Sequence, residues 1–472
     1  MPIASVKELL ASHSGEAMAL NDRYMNPQLG RIVRTLGFDR TWVRGEGAHL
    51  IDAEGESYLD LICGYGTFAV GRNHPDVIAA LGDLMMARSP NLPQLGVSVL
   101  PGALAEALVE RAPSRIAAMV PANTGTEAVE GAIKLARAAT GRQRILYATH
   151  AFHGLTLGSL SLNGDDNFRD GFGPLLPGCD SVEFGDAAAL RGELERRDVA
   201  AFIVEPIQGK GVNLPPDGYL QDAQAACRET ETLFVCDEVQ TGIGRTGRLF
   251  ALEHWGLDPD MICVAKALSG GFVPVGGVLV SEAVRERVFD GMERGVRHGS
   301  TFGGNDMAAA AGLATLAVIE REGLIERAAS LGALLLELTQ PLVERYEIVR
   351  DVRGMGLMWA IELGAPDTKR RRVVWSLVER AQSGLAAQLL VVPLFKRHRI
   401  FCQVAGHRMN VVKALPALVV EESEIRRFAA ALEDVVERAD RMGGAVGRLG
   451  LDLARGGARA LRRSASKPAA HA

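Results

Sequence analysis

The sequence predicts an α/β protein with an open sheet, and three observations predict it. Three short apolar runs, residues 201–204 (AFIV), 233–236 (LFVC) and 261–265 (MICVA), have the length and the β-branched or aromatic content of buried strands. Each is closed by a single charged residue, Glu205, Asp237 and Lys266 in turn. A further run at 116–120 leads into a helix start with apolar residues at 129, 132, 133 and 136, the spacing of one helical face. At 472 residues the chain is too long for one ordinary domain, so two or three packed units are expected.

The strand ends point to the chemistry. In open α/β sheets, ligands bind beyond the carboxyl ends of the strands. A lysine leaving an apolar strand is partly desolvated, which lowers its pKa and makes it a usable amine nucleophile. The alternative at this point is a strand-end lysine that simply reaches water. Abundance does not put it there, since the chain has 44 arginines and only 8 lysines. Between the last two strands, Gly242-Ile243-Gly244-Arg245-Thr246-Gly247 matches the G-x-G-x-x-G dinucleotide pattern. That pattern must join strand to helix directly, with an acid closing the next strand. Here residues 238–241 intervene and the next strand closes with Lys266. The glycines are therefore read as turn formers, and nicotinamide chemistry is set aside.

Three segments, VEPIQGKG (204–211), CDEVQTGIGRTG (236–247) and VAKALSGG (264–271), at these separations resemble the class III aminotransferases. These are pyridoxal-phosphate (PLP) enzymes of fold type I, and the resemblance runs from about residue 25 to about residue 437. It implies a large domain with a mostly parallel sheet and a smaller α+β domain built from both termini. The expected division is 1–62 and 321–440 for the small domain, 63–320 for the PLP-binding domain and 441–472 for a tail. It also implies that Lys266 holds PLP as a Schiff base and that Asp237 bonds the pyridinium nitrogen. A carboxylate there keeps the ring protonated, so that it can accept electrons from a carbanion. By the same resemblance Val239 packs on one ring face, Gln240 reaches the phenolic oxygen, and Glu205 belongs to the cofactor site.

The implied activity is transfer of an amino group through pyridoxamine phosphate, with Lys266 as general base and acid. An aminomutase, racemase or decarboxylase on the same fold, or a non-catalytic PLP-fold protein, is the alternative at this stage.

Taken in order, residues 1–24 read as a helix, and 41–62 as short strands with a turn at Asp52-Ala53-Glu54-Gly55. In the family the next segment lines the substrate pocket, which makes Tyr65 a candidate; an ordinary turn aromatic is the alternative. Residues 76–112 read as two amphipathic helices. Pro121-Ala122-Asn123-Thr124-Gly125-Thr126 ends a strand and opens a helix, whose free N–H groups can hold an anion. A merely capped helix start is the other reading; the resemblance makes it the phosphate cup, with Gly125 and Thr126 as holders. In His150-Ala151-Phe152-His153-Gly154 the family's aromatic stacks on the cofactor ring, here Phe152, while a lone His153 reads as structural. The loop 297–305 resembles one in which Thr301 crosses a dimer interface to the partner's phosphate, which implies a homodimer with shared active sites. Residues 306–348 read as long helices and 349–437 as short strands and helices.

Composition narrows the class further. Hydrophobic residues make up 47% and charged ones 23%, and the net charge of −5 does not suggest nucleic acid as a partner. The six cysteines are scattered singly, with neither zinc spacing nor a disulfide framework, so no metal is expected and a reducing cytoplasm fits. No signal peptide or membrane-spanning run is read. The segment 441–472 carries seven basic residues against Asp452; it reads as a mobile tail, with weak contact to anionic lipid as the alternative.

One departure from the family pattern concerns specificity. Members that handle amino acids often place an arginine before a Pro-Pro-Leu segment. Here the segment is Val412-Lys413-Ala414-Leu415-Pro416-Ala417-Leu418. A guanidinium grips a carboxylate bidentately and an ammonium does not. Lys413 therefore argues against α-carboxylate binding at one half-reaction and leaves room for a substrate that presents a bare terminal amine or aldehyde. Residues 389–403 and Lys413 look like hopanoid-biosynthesis aminotransferases, and ornithine and diamine aminotransferases are the other near resemblances.

Overall fold

The computed structural model describes residues 5–441 apart from 14, 94–95 and 382–383. The expectations for the tail fall on 442–472 and lie outside the described residues. The N-terminal part supplies β1 (Trp42–Glu46), β2 (His49–Asp52) and β3 (Ser57–Asp60). The middle supplies β4 (Ile116–Ala122), β5 (Arg144–Ala148), β6 (Cys179–Val182), β7 (Val199–Val204), β8 (Leu233–Asp237), β9 (Met261–Val264) and β10 (Gly276–Ser281). The last part supplies β11 (Val349–Met355), β12 (Met358–Leu363), β13 (Ile400–Phe401), β14 (Gln403–Val404) and β15 (Val411–Ala414).

The central sheet has the order β4-β10-β9-β8-β7-β5-β6. β10 is antiparallel to β4 and β9, and the remaining pairs are parallel. All strands but β10 therefore point the same way. Their carboxyl ends line one edge, where Gly125, Phe152, Glu205, Asp237 and Lys266 follow or end β4, β5, β7, β8 and β9. β7, β8 and β9 are buried along their whole length, as uninterrupted apolar runs require of strands covered on both faces. The helix Gly125–Thr140 covers one face with Ala128, Val129, Ala132, Ile133 and Ala136, the spacing seen in the sequence.

Two smaller sheets complete the fold. One has the order β1-β2-β3-β13, with β13 parallel to β3, so distant parts of the chain share a sheet. The other has the order β11-β12-β15-β14 and carries Lys413 on β15. The helices Asp306–Arg321 and Leu324–Thr339 lead to it. Trp359 of β12 is fully buried, meets Phe428 edge-on at 5.3 Å and donates to Thr339 Oγ1 at 3.1 Å.

The N-terminal reading needs correction. Residues 1–24 hold two short helices, Val6–Ser12 and Ala17–Tyr24, in place of one. A third, Pro27–Leu36, was not anticipated although its signals are present. Asn26 caps it, Pro27 sits at its first position and Gly37 ends it in the left-handed conformation.

Candidate active site

Asp237 closes β8 and is buried. Its Oδ2 accepts from His153 Nδ1 at 2.7 Å and its Oδ1 from the Val239 N–H at 3.0 Å. His153 is 3% exposed, and its Nε2 has no hydrogen-bond partner among the described residues. Burial would depress its pKa, but the Asp237 carboxylate outweighs that and raises it. His153, the weaker assignment in its segment, is thus the hydrogen-bond partner of Asp237. Its sequence signal was only its place beside Phe152.

Lys266 follows β9 with a φ of 45°, a left-handed conformation that is uncommon outside glycine. It is half-buried, and its ammonium has no hydrogen bond or ion pair among the described residues. Burial lowers its pKa, and the carboxylates of Asp237 and Glu205 oppose this without cancelling it. An amine that is unpaired, desolvated and flanked by acids is primed for nucleophilic and proton-transfer work.

Glu205 accepts from the Phe152 N–H at 3.0 Å and the Gly209 N–H at 2.8 Å, which ties the ends of β5 and β7 together. Burial raises its pKa. The next acid after Asp237, Glu238, is pushed up to about 7 by burial; it accepts from Thr241 Oγ1 and the Leu252 N–H.

The helix after β4 starts at Gly125, capped by Thr124, whose Oγ1 accepts from the Glu127 N–H at 3.2 Å. The N–H groups of Gly125 and Thr126 find no partner among the described residues. A Cβ on Gly125 would lie 2.6 Å from Val239 Cγ1, so only glycine lets the helix end approach the β8 loop. Thr126 differs from its expected use. Its hydroxyl lies 2.8 Å from Thr156 Oγ1 and 2.6 Å from Ser159 Oγ, and it accepts from the Thr156 N–H. Thr156 Oγ1 in turn donates to Glu130 Oε1 at 2.6 Å. The backbone N–H groups at this helix start are therefore open while the Thr126 hydroxyl is occupied.

Gln240 and Lys413 form one unit. Lys413 Nζ donates to the Gly209 carbonyl at 2.6 Å and to Gln240 Oε1 at 3.2 Å. Gln240 Nε2 donates to the Tyr65 carbonyl at 3.0 Å. Tyr65 sits in a left-handed turn with its side chain exposed. Burial, with the Lys266 and Lys210 ammonium groups, pushes the Lys413 amine down to about 7 against the pull of Glu205. No ion pair joins Lys413 to Glu205 among the described residues. The lysine is engaged by two carbonyl oxygens.

Phe152 is half-buried, with Phe168 edge-on to it at 5.7 Å. Thr301 stands apart: it is exposed and its hydroxyl has no partner among the described residues. Its loop is fastened to the strand edge by Asn123 Nδ2 donating to Ser300 Oγ at 2.9 Å. No cluster that could hold a metal occurs among the described residues, and no helix among them is long and apolar enough to cross a membrane.

The family model for class III aminotransferases matches residues 35–436. The chain is 42% identical to a putrescine aminotransferase of Pectobacterium atrosepticum over 443 residues, covering 89% of this chain and 93% of that one. It is 35% identical to the aminotransferase PigE of Serratia sp. over 451 residues, 88% of this chain, and spans only 53% of that longer protein. Among solved structures it resembles an ornithine aminotransferase of Toxoplasma gondii, with a TM-score of 0.79 and 28% identity over 93% of this chain and 99% of that one. It also resembles a PLP-bound amine transaminase of an uncultivated Pseudomonas species, with a TM-score of 0.73 and 30% identity over 85% and 96% of the two chains. The turn glycines at 242–247, the lysine beyond β9 and the acid closing β8 thus sit in a sheet and a sequence context of one kind: the chain belongs to the class III aminotransferases, which depend on PLP.

Proposed function

We propose that this aminotransferase takes its amino group from a terminal amine, of the diamine or ornithine side-chain type, and passes it to a carbonyl acceptor. The observation that carries this reading is the engagement of Lys413 by the Gly209 carbonyl and Gln240, at the position where an arginine would receive an α-carboxylate. The residues present fit PLP. The open N–H groups of Gly125 and Thr126 suit its phosphate, Asp237 suits the ring nitrogen, and Phe152 and Val239 suit the two ring faces. PLP, when bound, supplies an electron sink for the carbon next to the amine.

The chain's own groups do the rest. Lys266 is the amine that would hold the cofactor, and it would move the proton at the substrate carbon as base and then acid. Asp237, pinned by His153 and the Val239 N–H, keeps a proton at the ring nitrogen. Gln240, held by Lys413, would reach the phenolic oxygen. Tyr65 lines the entrance.

A homodimer is part of this reading. Exposed Met86, Val97, Val99, Met292, Val296 and Phe302 lie on segments joined by the Asp306 N–H donating to Asn91 Oδ1 at 2.9 Å. An apolar surface of this kind favours burial against a second copy, which would bring Thr301 to the partner's site. The reading keeps 63–320 as the cofactor-binding domain, with 1–62 and 321–440 as the smaller one. It also keeps a reducing, cytoplasmic setting, with all six cysteines free.

The test is a donor screen with putrescine, ornithine, alanine and glutamate, read as loss of the bound-PLP absorbance in a single half-reaction. Putrescine or ornithine should discharge the signal fastest. Conversion of alanine and glutamate with no response to the terminal amines would refute the substrate reading.

A further inference from the structure

Three of the chain's eight lysines, 210, 266 and 413, meet at this site. The roles above use Lys266 and Lys413 and leave Lys210 without one. Lys210 is 9% exposed, and its Nζ lies 2.8 Å from Asp165 Oδ2. The same ammonium sits 4.4 Å from the centroid of the Phe168 ring and 5.6 Å from that of Phe152. It thus faces both members of an edge-to-face pair, an arrangement that ring quadrupoles favour.

Asp165 is itself fixed. Its Oδ1 accepts from the Asn167 N–H at 3.0 Å, and the neighbouring Gly164 N–H donates to the Ala151 carbonyl at 2.9 Å. Burial alone would raise the Asp165 carboxyl; Lys210 and the Asn167 N–H hold it below the usual range. The segment carrying Phe168 is therefore tied to the strand end that carries Phe152, and Lys210 ties both to the turn after β7.

We propose that Lys210 is a positioning residue for Phe152: its ammonium, neutralised by Asp165, clamps the Phe152–Phe168 pair so that the Phe152 ring is held in the plane needed to stack on the cofactor. This rests on the reading that Phe152 stacks on PLP. Both a cation and length are required, because the group must reach Asp165 and the two rings at once. Arginine meets both needs, and its planar head also packs on aromatic faces. Methionine meets only the second.

The experiment titrates PLP into the apo forms of the parent, Lys210→Met, Lys210→Arg, Asp165→Asn and Phe152→Leu. It follows the absorbance and circular dichroism of the bound cofactor, and records the melting temperature of each apo form. K210M is expected to bind PLP about tenfold more weakly, with an altered cofactor dichroism and little change in apo melting. K210R should return both signals toward the parent. D165N should shift them in the same direction as K210M, and carries the test if K210M does not fold. Parental affinity and dichroism in K210M and D165N beside an impaired F152L would overturn the proposal alone. Parental behaviour of F152L would overturn the stacking reading and the proposal with it. A fall in apo melting with no change in PLP affinity or dichroism would reduce Lys210 to a structural ion pair and also overturn it.

Discussion

Replacing His153 with leucine tests how the acid at the end of β8 is held. The imidazole is buried, and its Nδ1 donates to Asp237 Oδ2 at 2.7 Å. Leucine has a similar volume but no donor, so the carboxylate keeps only the Val239 N–H, on its other oxygen. A hydrogen bond to a charged group contributes about 1.5–3 kcal/mol, equivalent to about 10- to 150-fold in an equilibrium constant. Water cannot easily replace it, since Asp237 is only 4% exposed. H153L is therefore expected to bind PLP about 10- to 150-fold more weakly, with turnover reduced even at saturating cofactor. His153→Gln, whose side-chain amide can donate to the same oxygen, should recover part of both.

The pH dependence has a definite sign. The folded pKa of His153 is raised above 6.5, so its contribution is fully present below the unfolded value and is lost as pH rises through the folded one. The stability gap between parent and H153L apoproteins should be largest in mild acid and narrow toward alkaline pH. The assays are PLP titration and urea unfolding across pH. PLP affinity and turnover within about twofold of the parent, with a gap that does not change with pH, would refute the reasoning.

Further outcomes follow from other contacts. Gly125→Ala places a Cβ 2.6 Å from Val239 Cγ1; overpacking of this kind costs about 1–3 kcal/mol, so PLP titration should show weaker binding, partly restored by adding Val239→Ala. Glu238 has its pKa raised from 4.5 to about 7, so folding stability should fall by about 3 kcal/mol as pH rises through that window; unfolding curves of Glu238→Gln should lack this decline. If Thr301 serves the partner's site, mixing Lys266→Ala with Thr301→Ala subunits should recover activity beyond either parent dimer, because one site of the mixed dimer carries neither lesion. Subunit exchange without recovery would place Thr301 at its own chain's site or at none.

The sequence by itself determined the buried central strands and their three charged ends. Continuous apolar runs report strands buried on both faces, and the residue that stops such a run emerges at the sheet edge. Asp237 and Lys266 were legible for that reason, and so was the helix start at Gly125, where pattern and turn chemistry agree within a few residues. The Asn26-Pro27 start and the Gly37 stop of the third helix are equally local signals.

Only the tertiary structure decided which side chains meet. The bond from His153 to Asp237 spans 84 positions, that from Lys413 to the Gly209 carbonyl 204, and that from Gln240 to the Tyr65 carbonyl 175. Local periodicity carries no information on such pairs. It reports whether a position is inside or outside, whereas a hydrogen bond depends on where two distant elements are packed to within an ångström. That is why the engagement of the Thr126 hydroxyl by Thr156 and Ser159 could not be read from the helix start itself. It is also why the partners of Lys413, the Gly209 carbonyl and Gln240 Oε1, could not be read from the segment around it.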